Sequence, residues 1–367
     1  MEKVAKICKK RVVVKIGSNV IARRDGSVDV TRISAIVDQI ATLYKSGVEV
    51  ILISSGAVAS GRSELKGGVG KLDAVEARQL YSSVGQVKLI NRYYELFREH
   101  GITCGQVLTT KESFSTRTHY LNQQRCMSVM LSSGVIPIVN ENDTISVTEL
   151  MFTDNDELSG LISAMMGADK LIILSNIDGI FNGNPNDASS SVITHILPEK
   201  RDLSEYIQAG RSQFGRGGMV TKTRIATKVA DEGIEVVVAN GKRDNIIVDL
   251  VNDIDSTLCS RFVAAECEVS QVKKWIAHSD GFSKGALILN KGAYEALLRP
   301  EATSLLLVGV TEVVGDFEKD DIVTILSPLG EKIGVGKVAY DSITCRANLG
   351  VKGMRAVIHY DYLYIGE

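Results

Sequence analysis

Short apolar runs, each too brief for a typical helix and each emptying into small or polar residues, constrain the fold of this chain more than any other feature. Residues 12–16, 48–53, 135–139 and 170–174 are continuous in Val, Ile and Leu apart from Lys15, Glu49, Pro137 and Lys170. Runs of that length and composition read as buried strands. Between them the period changes. Ile33, Ile36, Val37, Ile40, Leu43 and Tyr44 mark an amphipathic helix that Gly47 ends. Residues 73–100 are helical in pattern, with Val75, Leu80, Val84, Val87 and Leu96 among the apolar positions, and a further helix is expected around residues 120–131. Residues 102–108 and 234–239 add strands. Alternation of this kind predicts right-handed crossovers and a parallel sheet covered on both faces.

In open sheets of this type, ligands sit outside the carboxyl ends of the strands, so the residues that follow each run carry the functional information. Residues 135–139 lead into Asn140-Glu141-Asn142-Asp143 and then Phe152-Thr153-Asp154-Asn155-Asp156-Glu157. Leu158, Leu161, Ile162 and Met165 resume at helical spacing, with Asp154 and Glu157 placed like a capping pair. Six acidic residues lie between Glu141 and Glu157. A solvated acidic loop with a cap would explain them. The amides Asn140, Asn142 and Asn155 in the same stretch suit instead a small ligand with an ammonium group, or a magnesium-bound phosphate.

Lys15 is the anomaly of the first run. It points out of an edge strand or is held at a strand end by anions. Taken alone the edge reading is the simpler, but the Gly17-Ser18-Asn19 that follows can bring backbone N–H groups to phosphate oxygens. The second run ends in Ser54-Ser55-Gly56-Ala57, and from Gly56 to Ser63 the order Gly-x-x-x-x-Gly-Arg-Ser comes within one residue of a P-loop. Arg62 stands where that motif needs lysine, so the P-loop is rejected in favour of backbone packed closely around a ligand at Ser55 and Gly56. Residues 170–174 end in Ser175-Asn176-Ile177-Asp178-Gly179. Phe214-Gly215-Arg216-Gly217-Gly218-Met219-Val220-Thr221-Lys222 describes a glycine-rich loop entering a helix marked by Ile225, Ala226, Val229 and Ala230. Loop amides with a lysine near a helix start make a phosphate site; the plain alternative is a glycine turn with a surface lysine.

At 367 residues about two domains are expected. With 44% hydrophobic and 23% charged residues and a net charge of −2, composition gives no reason to make nucleic acid or an anionic membrane the main partner. No apolar signal core follows Met1, and no uncharged stretch reaches the roughly 18 residues of a membrane span, so a soluble, cytoplasmic protein is expected. Cys8, Cys104, Cys126, Cys259, Cys267 and Cys345 show no metal or redox spacing and are expected to be reduced thiols, mostly in the core. The pattern weakens over residues 255–273, and a new regime begins at Lys274-Trp275. Short strands at 287–290, 305–308, 322–326 and 333–336 predict a small, mostly β domain. From Ser270 to Glu367 there are 11 Lys plus Arg against 12 Asp plus Glu, so this is not a basic module. The expected division is residues 1–265, a linker over 266–273, and residues 274–367.

In order along the chain, Val14-Lys15-Ile16-Gly17-Ser18, Ser54-Ser55-Gly56-Ala57-Val58-Ala59-Ser60-Gly61, Val139-Asn140-Glu141-Asn142-Asp143, Asp154-Asn155-Asp156 and Gly217-Gly218-Met219-Val220-Thr221-Lys222 resemble the glutamate 5-kinase family. That family belongs to the amino-acid kinase superfamily. Each marker is weak by itself, but five in the right order are specific. Residues 309–317 and 330–340 resemble the core of a PUA domain. The resemblance implies a three-layer, parallel-sheet α/β amino-acid kinase domain followed by a small, mostly β, PUA-like domain. It also implies transfer of the ATP γ-phosphoryl group to the side-chain carboxylate of L-glutamate, the first step of proline biosynthesis, with ATP and magnesium.

Carried over by position, the resemblance implies that Lys15 and Lys222 contact ATP phosphates, and that Ser55, Asn140, Asp143 and Asn155 form the glutamate site. Ser175, Asn176 and the loop Arg216, Gly217, Gly218, Met219, Val220, Thr221 and Lys222 would surround the nucleotide. Asp154 would organise the lysines, with Asp156 nearby. Inhibition by L-proline and a homo-oligomer are further implications. Asn176 replaces the usual Asp, Arg216 a small hydroxylated residue and Thr153 a Gly, which bears on nucleotide recognition rather than on the reaction. A carboxylate is already nucleophilic at neutral pH, so the lack of an evident base motif fits. Two readings compete. A kinase for N-acetylglutamate or aspartate would share the lysine and glycine apparatus, but not the Asn-Glu-Asn-Asp and Asp-Asn-Asp pairing or the tail. An RNA-binding PUA protein is opposed by the balanced charge of the tail.

Overall fold

The computed structural model describes residues 9–23, 26–65, 70, 72–146, 155–201, 203, 218–266, 272, 275–276, 282–299 and 303–366. Contacts gather the chain into two units, Met1–Lys111 with Asn122–Glu268, and Glu112–Leu121 with Val269–Glu367. The first is built on eight strands: β1 (Arg11–Ile16), β2 (Glu49–Ser54), β3 (Thr103–Thr109), β4 (Val135–Glu141), β5 (Lys170–Ser175), β6 (His195–Ile196), β7 (Glu235–Asn240) and β8 (Ser260–Phe262). Their spatial order is β3-β4-β2-β1-β5-β7-β8-β6. Neighbours run parallel except β7 and β8. Described helices of this unit are α1 (Ser18–Ile21), α2 (Val30–Lys45), α3 (Ala57–Glu64), α4 (Ala74–Glu99), α5 (Arg117–Ser132), α6 (Asn155–Met166), α7 (Gly218–Asp231) and α8 (Ile246–Asn252), the first residues of α5 belonging to the second unit.

Side chains alternate across each strand, which decides what faces each helical layer. Val12, Val14 and Ile16 of β1, with Val50 and Leu52 of β2, join a core filled by α2, α4 and α8, including Ile33, Ile36, Ile40, Leu89, Tyr93, Phe97 and Leu250. Val13 and Lys15 are left for the other face, where α6 lies against β1 and α7 against α6. The predicted α/β layering is thus present.

The long helix α4 departs from its sequence pattern. Val75 and Val87 are exposed, and the buried stripe is Ser82, Gly85, Leu89, Tyr93 and Phe97. The cause is a close crossing with α3. A Cβ on Gly85 would stand 1.8 Å from the Ala57 carbonyl oxygen, and one on Gly61 1.8 Å from that of Tyr81, so two glycines let the backbones touch. Apolar periodicity cannot show a face made of small residues. Arg62, which spoils the P-loop pattern, stacks over the Tyr81 ring at 5.6 Å.

The second unit carries a five-stranded sheet of β9 (Gly285–Leu289), β10 (Val310–Val314), β11 (Ile322–Leu326), β12 (Lys332–Lys337) and β13 (Leu363–Ile365), in order β10-β9-β11-β12-β13, with α9 (Lys291–Leu297) and α10 (Ser342–Ala347). Leu287, Leu289, Val323, Ile325, Val338, Val357 and Ile358 form its core. Trp275 is buried in the same unit, with its indole N–H donating to the Phe114 carbonyl at 3.0 Å and its ring beside Tyr120. The strand expected at 305–308 is instead one bridge, Leu305 to Ile358, and a 3-10 turn, Leu307–Gly309. The Leu306, Leu307 and Val308 carbonyls are met by the Gly309 N–H, the Gly350 N–H and the Asn290 side-chain amide rather than by a neighbouring strand.

Among the described residues no helix is long and apolar enough to cross a membrane. Cys259 and Cys345 are buried free thiols, Cys104 is half-buried and Cys126 exposed; Cys8 and Cys267 lie outside the described residues.

Candidate active site

Lys15 sits one residue before the carboxyl end of β1, and β1 is a central strand between β2 and β5. The edge-strand reading therefore does not hold. Its side chain is on the α6 face and only 4% exposed. The Nζ donates to Asp156 Oδ1 at 2.5 Å, and Lys222 Nζ, from α7, donates to Asp156 Oδ2 at 2.8 Å. Lys222 also reaches the Gly218 carbonyl at 3.2 Å, one turn back. Asp156 is fully buried in the first turn of α6. Burial pushes its carboxyl pKa up, but the two lysines together outweigh burial and hold it below the usual value. Two ammonium groups on one carboxylate give this trio a net positive charge at the strand end. The resemblance implies an organising role for Asp154, which lies outside the described residues; among the described residues, Asp156 bridges both lysines.

On one side of the trio, Ser55 follows β2 and precedes Gly56, whose φ of +107° starts α3 in a conformation that suits glycine. The Asn155 side-chain amide, at the first residue of α6, donates to Ser55 Oγ at 3.0 Å and to Asn140 Oδ1 at 3.2 Å. Asn140 in turn donates to Gln86 Oε1 of α4 at 2.9 Å. Beyond it, Glu141 and Asp143 are buried beside Arg78 of α4, and Ser146 Oγ donates to Glu141 Oε1 at 2.6 Å. The structure thus brings Ser55, Asn140, Asp143 and Asn155 to neighbouring strand ends.

On the other side, Ser175 ends β5 in register with Asn240 of β7, and its hydroxyl approaches Asn176 Oδ1 at 3.5 Å. Asp178 accepts from Arg243 Nε at 2.7 Å and Asn240 Nδ2 at 3.0 Å, and the Arg243 bond is the main cause that lowers its pKa. Gly218, Met219, Val220 and Thr221 form the first turn of α7 that leads to Lys222. Thr153, Arg216 and Gly217 lie outside the described residues.

Sequence reasoning missed Arg78, Gln86 and Arg243. One signal was present: Glu141 and Asp143, if buried at a strand end, need a cation from elsewhere. No local pattern says that it comes from a helix more than sixty positions upstream.

Comparison with known proteins places these observations in a family. The model of the amino acid kinase family matches residues 10–240, and that of the PUA domain matches residues 285–350. Glutamate 5-kinase of Bacteroides thetaiotaomicron is 66% identical over 97% of this chain and 98% of its own length. Glutamate 5-kinase of Chlorobaculum tepidum is 46% identical over 97% of each. Among solved structures, carbamate kinase from Giardia lamblia bound to AMP-PNP superimposes with a TM-score of 0.52 at 16% identity, over 70% of this chain and 99% of that one. That last likeness concerns the fold alone.

Proposed function

The chain belongs to the amino acid kinase family and, within it, to the glutamate 5-kinases, and from that premise we propose how its residues divide the transfer of a phosphoryl group from ATP to the side-chain carboxylate of L-glutamate. The observation that carries the division is Asp156 holding two lysines from separate elements.

Transfer needs little covalent help from the protein, because the acceptor carboxylate is ionised and nucleophilic. The obstacle is the repulsion between two anions. Lys15 and Lys222 meet the phosphate oxygens, and Asp156 fixes the two Nζ atoms before substrate arrives, so no reorganisation is needed as charge moves from the acceptor to the leaving phosphate. The start of α7 adds backbone N–H groups from Gly218 onward. Ser175 and Asn176 lie beside the nucleotide. Ser55, Asn140 and Asn155 supply hydrogen bonds to glutamate, and Asp143 receives its ammonium.

Magnesium belongs to the same proposal. Among the described residues no cluster of His, Cys, Asp or Glu could hold a metal ion, and both oxygens of Asp156 are engaged by lysines. Magnesium would enter as a companion of ATP and would shield the charge on its phosphate oxygens. Inhibition by L-proline and a homo-oligomeric state are carried as proposals from the family resemblance.

The test is trapping of the acyl phosphate by hydroxylamine. Hydroxamate should form only with ATP and glutamate together, and Asp143→Asn should raise the glutamate KM while leaving the ATP KM within about twofold. Hydroxamate formed equally well with N-acetylglutamate or aspartate would reject the substrate assignment. An unchanged glutamate KM in Asp143→Asn would reject the site.

A further inference from the structure

We propose that Arg78 is a positioning residue for the glutamate ammonium: reaching over from α4, it holds one oxygen of Asp143 and leaves the other turned towards the substrate. This rests on the reading of Asp143 as the group that receives the ammonium. Arg78 Nε and Nη2 donate to the same atom, Asp143 Oδ1, at 2.9 and 2.6 Å, and Nη2 also reaches Glu141 Oε2 at 3.3 Å. Asp143 Oδ2 accepts no hydrogen bond among the described residues. The two acids are buried, whereas the Arg78 side chain is 35% exposed, so a cation at the rim governs two carboxylates behind it.

The arrangement is selective in charge as well as in shape. Glutamate brings one ammonium and two carboxylates. Glu141 and Asp143 together would present two negative charges to it, attracting the ammonium but repelling both carboxylates. The guanidinium offsets one of them. What remains is a single negative charge whose outward atom is fixed.

The rest of α4 grips the same loop. Gln79 Nε2 donates to the Thr144 carbonyl at 2.7 Å, and Gln86 accepts from Asn140 at 2.9 Å. Since α4 is also seated on α3 through Gly61 and Gly85, and only Gly56 separates Ser55 from α3, one helix sets both halves of the glutamate site. Arg78 bonds to the loop, while the lysines that meet the phosphates bond to Asp156. Its loss should therefore appear in glutamate binding and not in the chemical step.

The experiment is steady-state kinetics of the full chain with Arg78→Met, Arg78→Lys, Asp143→Asn and the double variant Arg78→Met/Asp143→Asn. Arg78→Met should raise the glutamate KM about tenfold or more, with kcat within about threefold and the ATP KM within about twofold. Arg78→Lys should recover part of that loss, because the charge returns without the fork. The double variant should be no more than about threefold worse than the worse single one, since Arg78 acts through Asp143. A glutamate KM within twofold of wild type in Arg78→Met would overturn the inference, and so would a parallel fall of kcat and rise of both KM values. Fully multiplicative effects in the double variant would overturn it too. If Arg78→Met does not fold, Arg78→Lys decides: a glutamate KM raised about threefold alone supports the role, and an unchanged one rejects it. A normal glutamate KM in Asp143→Asn would instead remove the reading of Asp143 itself, which separates the two failures.

Discussion

The two ends of the large sheet each bury a lysine, and they put it to opposite uses. Lys170 opens β5 at the amino end and is 5% exposed; Lys15 nearly closes β1 at the carboxyl end and is 4% exposed. Lys170 finds its acid in register, Glu235 of β7, at 2.8 Å, and gives a second bond to the Leu250 carbonyl at 2.7 Å. Arg261 takes the other oxygen of Glu235 at 2.6 Å and pairs with Asp255 at 3.2 Å. Cations and acids balance there. The register pair Arg11 and Glu49 at the same end is another such match. Lys15 has Ile53 and Ile173 as its register partners, so its acid must come from a helix, and that acid is shared with Lys222. A buried cation answered by its strand neighbour is scaffold. At the scaffold end a second acid, Asp255, balances the two cations on Glu235; Lys15 and Lys222 outnumber the one carboxylate that they share, and that surplus fits the proposed phosphate site.

The largest expected effects test the functional end. Lys222→Ala should lower kcat by about 10² to 10³, the scale for losing one donor to developing charge, and Lys15→Ala should act similarly. The double variant should fall far short of the product of the two, because both lysines act on one phosphoryl group. A kcat within threefold of wild type in either single variant would break the contrast. At the scaffold end, Lys170→Met should leave kcat of the folded enzyme within about threefold and cost about 2 kcal/mol of stability, since it orphans the Leu250 carbonyl while Arg261 keeps Glu235 paired. Denaturant midpoints check the second figure. A hundredfold loss of kcat in Lys170→Met would show that the two ends are not separate.

The contrast also measures what was legible in the sequence. Strand and helix alternation was plain because burial on both faces demands continuous apolar runs, as in residues 170–174, and the family motifs followed from what closes those runs. That Lys15 lies on an interior strand was not legible, because local composition does not give strand order. The stripe on α4 was misleading for a related reason: Gly85 packs by being small, which hydrophobic periodicity does not register. Arg78 and the bridging role of Asp156 were out of reach because both depend on contacts between elements far apart in the chain. The 305–308 run is a turn because its carbonyls are met by Gly309, Gly350 and Asn290, partners that no alternation of apolar residues reveals.

The smallest expected effect lies in acid. Asp156 and Glu235 both titrate below their ordinary values of 3.8 and 4.5, each pushed up by burial and pulled down further by a pair of cations, Lys15 with Lys222 and Lys170 with Arg261. The unfolded chain takes up both protons near those ordinary values, while the folded chain resists until lower pH. Over that interval the unfolded state binds more protons, so stability is complete above about pH 5 and declines as pH falls through 4.5 and 3.8 towards the lowered values. Denaturation midpoints from pH 6 to 3.5 should therefore slope downwards in acid, about as expected for a few such carboxylates, and Asp156→Asn and Glu235→Gln should each flatten that slope. Turnover distinguishes the two ends. Protonating Asp156 releases the lysines it holds, whereas protonating Glu235 loosens only scaffold. The acid limb of kcat should thus be the same in Glu235→Gln as in wild type at each pH, a ratio from which the titration of glutamate itself cancels. If Glu235→Gln moves that limb, the two ends of the sheet are coupled; if Asp156→Asn leaves the stability slope untouched, the lysines do not hold its carboxyl below the ordinary value.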